Sequence, residues 1–270
     1  MRAICLLLIL FLVTISAQAD FDTAYAEYTH AHYDKAYPEF LELAKEGNLK
    51  AQFYLGAMYR DGLGIKQDYQ ESLRWYKKAA EQGEPKAEHN VALFYHYGFG
   101  VAPDISTAVS WYEKAAAKGY IDSQQNLALI YYRGEGVDKD INAAIKWWRM
   151  AADQGGERAQ NNLGLMYYLG KGVPQDYQEA MSWYRKAAEQ GFAESQNSLG
   201  AMYHDGYGAD KDWIEAWAWF KLAEDNGLES AKLNVAIIES KLSEDELGKA
   251  RQIYEEYKKL YSPKDKNEKN

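Results

Sequence analysis

The chain has a single cysteine, Cys5, and only five prolines in 270 residues. No disulfide can form within it, although export would permit one. Positive charge is also short, with 31 Lys and Arg against 40 Asp and Glu and a formal net charge of −9. That balance argues against a nucleic-acid partner and against docking on anionic lipid. Long apolar runs are limited to residues 4–15, which fall short of the roughly 20 residues a membrane span needs. Acidic Asp20 follows where a stop-transfer segment would place Lys or Arg.

Arg2 before that run and Ala17-Gln18-Ala19 after it have the form of a secretory leader, residues 1–19, cleaved after Ala19. Cleavage would remove the only cysteine and, with Arg2, leave a charge of −10. The expectation is a soluble product in the periplasm or outside the cell, with no membrane insertion after cleavage. The remaining chain, 14% aromatic overall, is long enough to bury a large core without disulfides.

Glycine and tryptophan are present at fixed intervals. "LGLMYYLGKGVPQDYQEAMSWYRKAAEQG" at 163–191 nearly repeats "LGAMYRDGLGIKQDYQESLRWYKKAAEQG" at 55–83. Five gapless copies of 36 residues align, at 51–86, 87–122, 123–158, 159–194 and 195–230. Each copy predicts two helices. The first spans about Ala51 to Asp61 in copy one and ends at a Gly-x-Gly turn, because glycine tolerates the positive φ of a tight helix exit. An aspartate then caps the second helix: Asp68, Asp104, Asp140, Asp176 and Asp212. Glu71, Glu179 and Glu215, three residues on, suggest capping boxes.

The bulky positions expected to stack the repeats are Trp75, Trp111, Trp147, Trp183 and Trp219, with Tyr59 and its equivalents. Small residues recur where helices must approach, at Gly56, Ala92, Ala128, Gly164 and Gly200. Residues 20–50 read as an N-terminal cap and 231–261 as a C-terminal cap with a Ser243/Glu246 capping box. Residues 262–270 read as a disordered tail. The fold class is all-α, an α-solenoid of helix-turn-helix units.

"AQNNLGLMYYLGKGVPQDYQEAMSWYRKAAEQG" resembles the Sel1-like repeat family, relatives of the tetratricopeptide repeat, across residues 51–230 and part of both flanks. The resemblance implies a right-handed superhelix that acts as a non-catalytic adaptor or regulator, with a partner protein or peptide held in a concave groove. A cysteine-rich branch of the family is linked to β-lactam binding or hydrolysis. The alternative reading, a cell-wall ligand binder or weak hydrolase, rests on that branch alone, and this chain lacks its cysteines.

Catalytic motifs are missing. No serine has a lysine three residues later, and Gly-x-Ser-x-Gly, His-Glu-x-x-His and the P-loop pattern are absent. Of the five histidines, His30 and His32 fall on a predicted helix, while His89 and His96 stand two turns apart, too far to share one metal. No metal or cofactor site is read, and the chain is not expected to be an enzyme. Recognition is assigned to positions that vary between copies, on the face of the first helix away from Leu55 and Met58. Its third, seventh and tenth positions give Phe53, Ala57, Arg60; His89, Leu93, His96; Gln125, Leu129, Tyr132; Asn161, Leu165, Tyr168; and Asn197, Ala201, His204. The eleventh position adds Asp61, Tyr97, Arg133, Leu169 and Asp205. Oligomeric state is not readable from the pattern; a monomer is the expectation.

Overall fold

The computed structural model describes residues 20–261; the segments expected to be a leader and a tail, 1–19 and 262–270, lie outside the described residues. The chain divides into two compact units, Met1–Ser123 and Gln124–Asn270. No strand occurs among the described residues. The first unit holds α1 (residues 20–29), α2 (Tyr33–Lys45), α3 (Leu49–Asp61), α4 (Tyr69–Glu81), α5 (Pro85–Tyr97) and α6 (Ile105–Ala117). The division falls within α7 (Ile121–Arg133). The second unit continues with α8 (Ile141–Asp153), α9 (Glu157–Leu169), α10 (Tyr177–Ala188), α11 (Ala193–Asp205), α12 (Trp213–Asp225), α13 (Ala231–Glu239) and α14 (Glu244–Tyr261). This is the tandem helix-turn-helix arrangement of the α-solenoid class. The first helix of each copy starts two residues earlier than the 51–86 phase suggests; in copy one Asn48 caps it by accepting from Ala51 N.

Both glycines of the turn have separate work. Gly62 ends α3 in the left-handed region at φ 69°, and its N–H returns to Met58 O. Gly64 is where the turn nests against the preceding helix pair: a Cβ there would lie 2.7 Å from the Tyr33 carbonyl. Gly208 meets Tyr177 O in the same way in the second unit, at 2.5 Å.

The aspartate caps form as expected. Asp68 Oδ1 accepts from Gln70 N and Glu71 N, and Asp176 Oδ1 from Glu179 N. The capping boxes do not close at these sites. The N–H of each aspartate is already committed to a carbonyl of the first helix, Asp68 to Tyr59 and Asp176 to Tyr167. The glutamates turn elsewhere: Glu71 pairs with Arg74, Glu179 accepts Trp183 Nε1, and Glu215 accepts the Tyr257 hydroxyl. The box does close at Ser243, whose N–H reaches Glu246 Oε2 at 2.9 Å.

The stacking tryptophans need a correction. Trp75, Trp183 and Trp219 are buried, but Trp111 and Trp147 are only half-buried. The position buried in every copy is the next one, Tyr76, Tyr112, Trp148, Tyr184 and Phe220. Neighbouring residues on a helix point about 100° apart, so two successive bulky side chains cannot both face the same seam. The ring at the second of them lies over the small residue of the first helix. A Cβ on Gly56, Gly164 or Gly200 would come within 2.8 Å of Tyr76, Tyr184 or Phe220.

Candidate protein-interaction surface

The third positions of the first helices do not form an open recognition strip; they build the seam between repeats. His89 is buried, and its Nδ1 lies 2.9 Å from Ser123 Oγ, with Tyr112 and Tyr120 against its ring. Burial pushes its imidazole down to about 4, which keeps it neutral at pH 7. In the second unit Asn161 Oδ1 accepts the same bond from Ser195 Oγ at 2.8 Å, and Asn197 Oδ1 accepts from Asn234 Nδ2. His89 and Ser123 therefore make a scaffold bond that an asparagine replaces one repeat pair later, and the buried Ser123 hydroxyl is closed to substrate. Phe53 is half-buried against Tyr54 and Tyr76, Gln125 is half-buried, and Ala57 at the seventh position is buried.

The tenth and eleventh positions reach further out. In the first unit, Arg60 forks onto Asp61 and reaches Asn90 Oδ1 at 3.3 Å. The bond to Asp61 raises the guanidinium pKa further, so this charge is permanent. His96 Nδ1 lies 3.3 Å from the Tyr112 hydroxyl, and its ring stacks on Tyr97 at 4.5 Å. Tyr97 is 59% exposed. Phe99 sits beside it and stacks on Tyr69 at 5.4 Å.

In the second unit, Tyr132 packs on Trp148 and lies under Lys139, while Arg133 is exposed. Tyr168 touches Tyr177 and Tyr207, with Leu169 exposed beside it. Desolvation, with smaller contributions from those phenols and from Asp205, raises the Tyr168 pKa. His204 pairs with Asp205 at 2.7 Å and stacks on Trp213. Of the residues chosen from sequence, the eleventh-position side chains Asp61, Tyr97, Arg133, Leu169 and Asp205 are exposed; Phe53, His89, Asn161 and Asn197 are occupied within the scaffold.

Two features escaped the sequence reading. One is a buried polar latch at the second position of each first helix. Gln82 donates to Gln52, Gln154 to Gln124, Gln190 to Gln160 and Asn226 to Gln196, each across 30 residues at 2.8 Å. Gln52, Gln160 and Gln196 also donate to a carbonyl eight residues back. The signal was visible: glutamine recurs at that position in four of the five copies. The other is the aromatic pair across consecutive copies, Tyr69 with Phe99 and Tyr177 with Tyr207, whose members are 30 residues apart.

His30 and His32 do not lie on a helix. They flank Ala31, at φ 60°, in the turn between α1 and α2, with their rings stacked at 6.2 Å. Among the described residues, no three His, Cys, Asp or Glu side chains are grouped to hold a metal ion. No helix among them is long and apolar enough to cross a membrane.

The Sel1 repeat profile matches residues 49–84, 85–120, 121–156, 157–192 and 193–228, in phase with the observed helix starts. The crystal structure of a Sel1 repeat protein from Oxalobacter formigenes is similar at 33% identity and a TM-score of 0.73, covering 76% of this chain and 84% of that one. A second is c5321, a protective antigen present in uropathogenic Escherichia coli strains and displaying an SLR fold, at 30% identity and a TM-score of 0.58. That match covers 92% of this chain and 62% of c5321, so the chain spans under two thirds of that relative. No curated protein matches the chain significantly. Five matched repeats over most of the length, with the helix phase and turn glycines they require, place the chain in the Sel1 repeat family.

Proposed function

We propose that this protein is an exported, non-catalytic scaffold that holds a partner protein or peptide at the turn ends of its first helices. Sel1 repeat proteins are generally protein-interaction scaffolds and typically non-enzymatic. The observation that carries the reading is the division of labour along each first helix. Its second and third positions are taken up by the seams between repeats. The eleventh position carries exposed side chains that differ from copy to copy: Asp61, Tyr97, Arg133, Leu169 and Asp205. Varied, exposed aromatic and charged groups on a rigid repeat support suit protein recognition.

Photo-crosslinking from positions 97 and 169 tests this, with exposed position 189, just past the end of α10, as control. A protein captured from 97 and 169 but not from 189 is the expected result. Capture from 189 alone would move recognition to the second helices. Export is tested separately: the product from the native host should begin at Asp20, and an intact Met1 would remove that part of the proposal.

A further inference from the structure

The second unit carries a plaque of three tyrosines beside two exposed aspartates, Asp176 and Asp210. Tyr177 and Tyr207 stack at 4.6 Å with planes 21° apart, and Tyr168 meets them edge-on at 5.4 and 5.9 Å. Tyr207, held between Gly206 and Gly208, is 38% exposed. Beside the pair lies an open depression of about 630 Å³, lined by Tyr177 of the pair with Gln175, Asp176, Gln178, Gly208, Ala209 and Asp210. No lysine or arginine lines it.

We propose that this plaque receives an arginine-bearing segment of the partner; the idea rests on the scaffold reading and names the chemistry of what is held. The rings touch one another, so no cation fits between them, and a cationic group must lie on the outer face of the stack. A planar guanidinium can stack on a tyrosine face while its N–H fork meets a carboxylate, which an ammonium cannot do. Asp210, and Asp176 through the oxygen its helix cap leaves over, supply carboxylates to the depression that Tyr177 also lines, and the amides of Gln175 and Gln178 can bond to a peptide backbone. The acidic balance of the whole chain, −9, adds long-range attraction for a basic segment.

The first unit offers an internal control. Tyr69 and Phe99 form the equivalent stack, but Ala102 stands where the second unit has Asp210.

Fluorescence anisotropy on the full chain tests the proposal with a labelled peptide alternating glycine and arginine, beside lysine and glutamate versions. The arginine peptide should bind most tightly and the glutamate peptide least, with affinity falling as salt rises. Tyr207→Ala and Asp210→Asn should each weaken the arginine peptide about fivefold, while Phe99→Ala leaves it unchanged. Asp210 is exposed, so its substitution should leave the melting temperature of the chain unchanged, which a thermal melt checks. Unchanged affinity in both variants, or equal binding of the glutamate peptide, overturns the plaque as an arginine site. The scaffold reading is decided independently: crosslinks from position 169 that persist in these variants leave it standing, and their absence in the parent protein removes it.

Discussion

Glu88 accepts an ion pair from Lys118 at 2.7 Å in the place where every other repeat pairs two amides. The Glu88 side chain is almost wholly buried, whereas Lys118 keeps partial contact with water. Lys118 Nζ also donates to Gly83 O, and Glu88 Oε2 has no hydrogen-bond partner. A carboxylate cannot donate, so the bond that Gln52, Gln160 and Gln196 make to a carbonyl eight residues back is lost here.

Removing Lys118 alone should be worse than removing an amide partner elsewhere. Lys118→Ala leaves a buried carboxylate unpaired and should cost about 2 kcal/mol, less than a fully buried pair because Lys118 is partly solvated. Gln190→Ala should cost about 1 kcal/mol. The double change Glu88→Gln, Lys118→Gln rebuilds the amide latch and should match or exceed the parent in urea unfolding. A double variant weaker than Lys118→Ala would show that the latch is not interchangeable.

His89 makes stability pH-dependent. The unfolded chain takes up its proton near pH 6.5, and the folded chain only near 4. The unfolded state therefore binds more protons between those values, so stability is complete above pH 6.5 and falls as pH is lowered through that window. The loss should reach about 3 kcal/mol at most. His89→Asn copies the Asn161–Ser195 bond and should flatten the difference in melting temperature between pH 7 and pH 4.5. An identical pH profile in the variant would assign the dependence to other groups.

Trp147 and Trp148 differ by one position and by burial. Trp148→Ala should cost about 3–5 kcal/mol, and Trp147→Ala no more than about half of that. Chemical denaturation of the two variants side by side checks the order. Equal losses would contradict the assignment of the buried ring to the second of the two positions.

Gly64 and Gly47 separate backbone conformation from space. Both have positive φ, 70° and 94°, but a Cβ on Gly47 meets nothing within 4 Å whereas one on Gly64 strikes Tyr33. Gly47→Ala should cost about 1–2 kcal/mol from the left-handed conformation alone. Gly64→Ala should cost clearly more, because the strike is on backbone atoms. Comparable melting temperatures for the two would mean the turn gives way easily.

The first glycine of each Gly-x-Gly turn, the aspartate caps and the Ser243 capping box were decided locally, within one helix end or one turn. The sequence therefore spelled them out, and the 36-residue period repeated the turn glycines and the aspartate caps in all five copies. What lay beyond it were choices made between elements. Whether Trp147 or Trp148 faces the seam depends on the rotation of α8 about its axis. Hydrophobicity, the same for both tryptophans, does not decide that rotation; the buried ring, Trp148, is the one that packs on Tyr132 of the first helix. His89 and Asn161 looked like exposed variable residues because their bond partners, Ser123 and Ser195, stand 34 positions away on the next repeat. Gln52 and Gln82 likewise meet only when consecutive helix pairs stack. Tyr177 and Tyr207 are unremarkable singly and become a surface only because Gly208 lets its turn approach the start of α10. A periodic sequence states which positions are alike; which of them touch is decided by the stacking geometry, since contacts 30 or more residues apart leave no trace in local pattern.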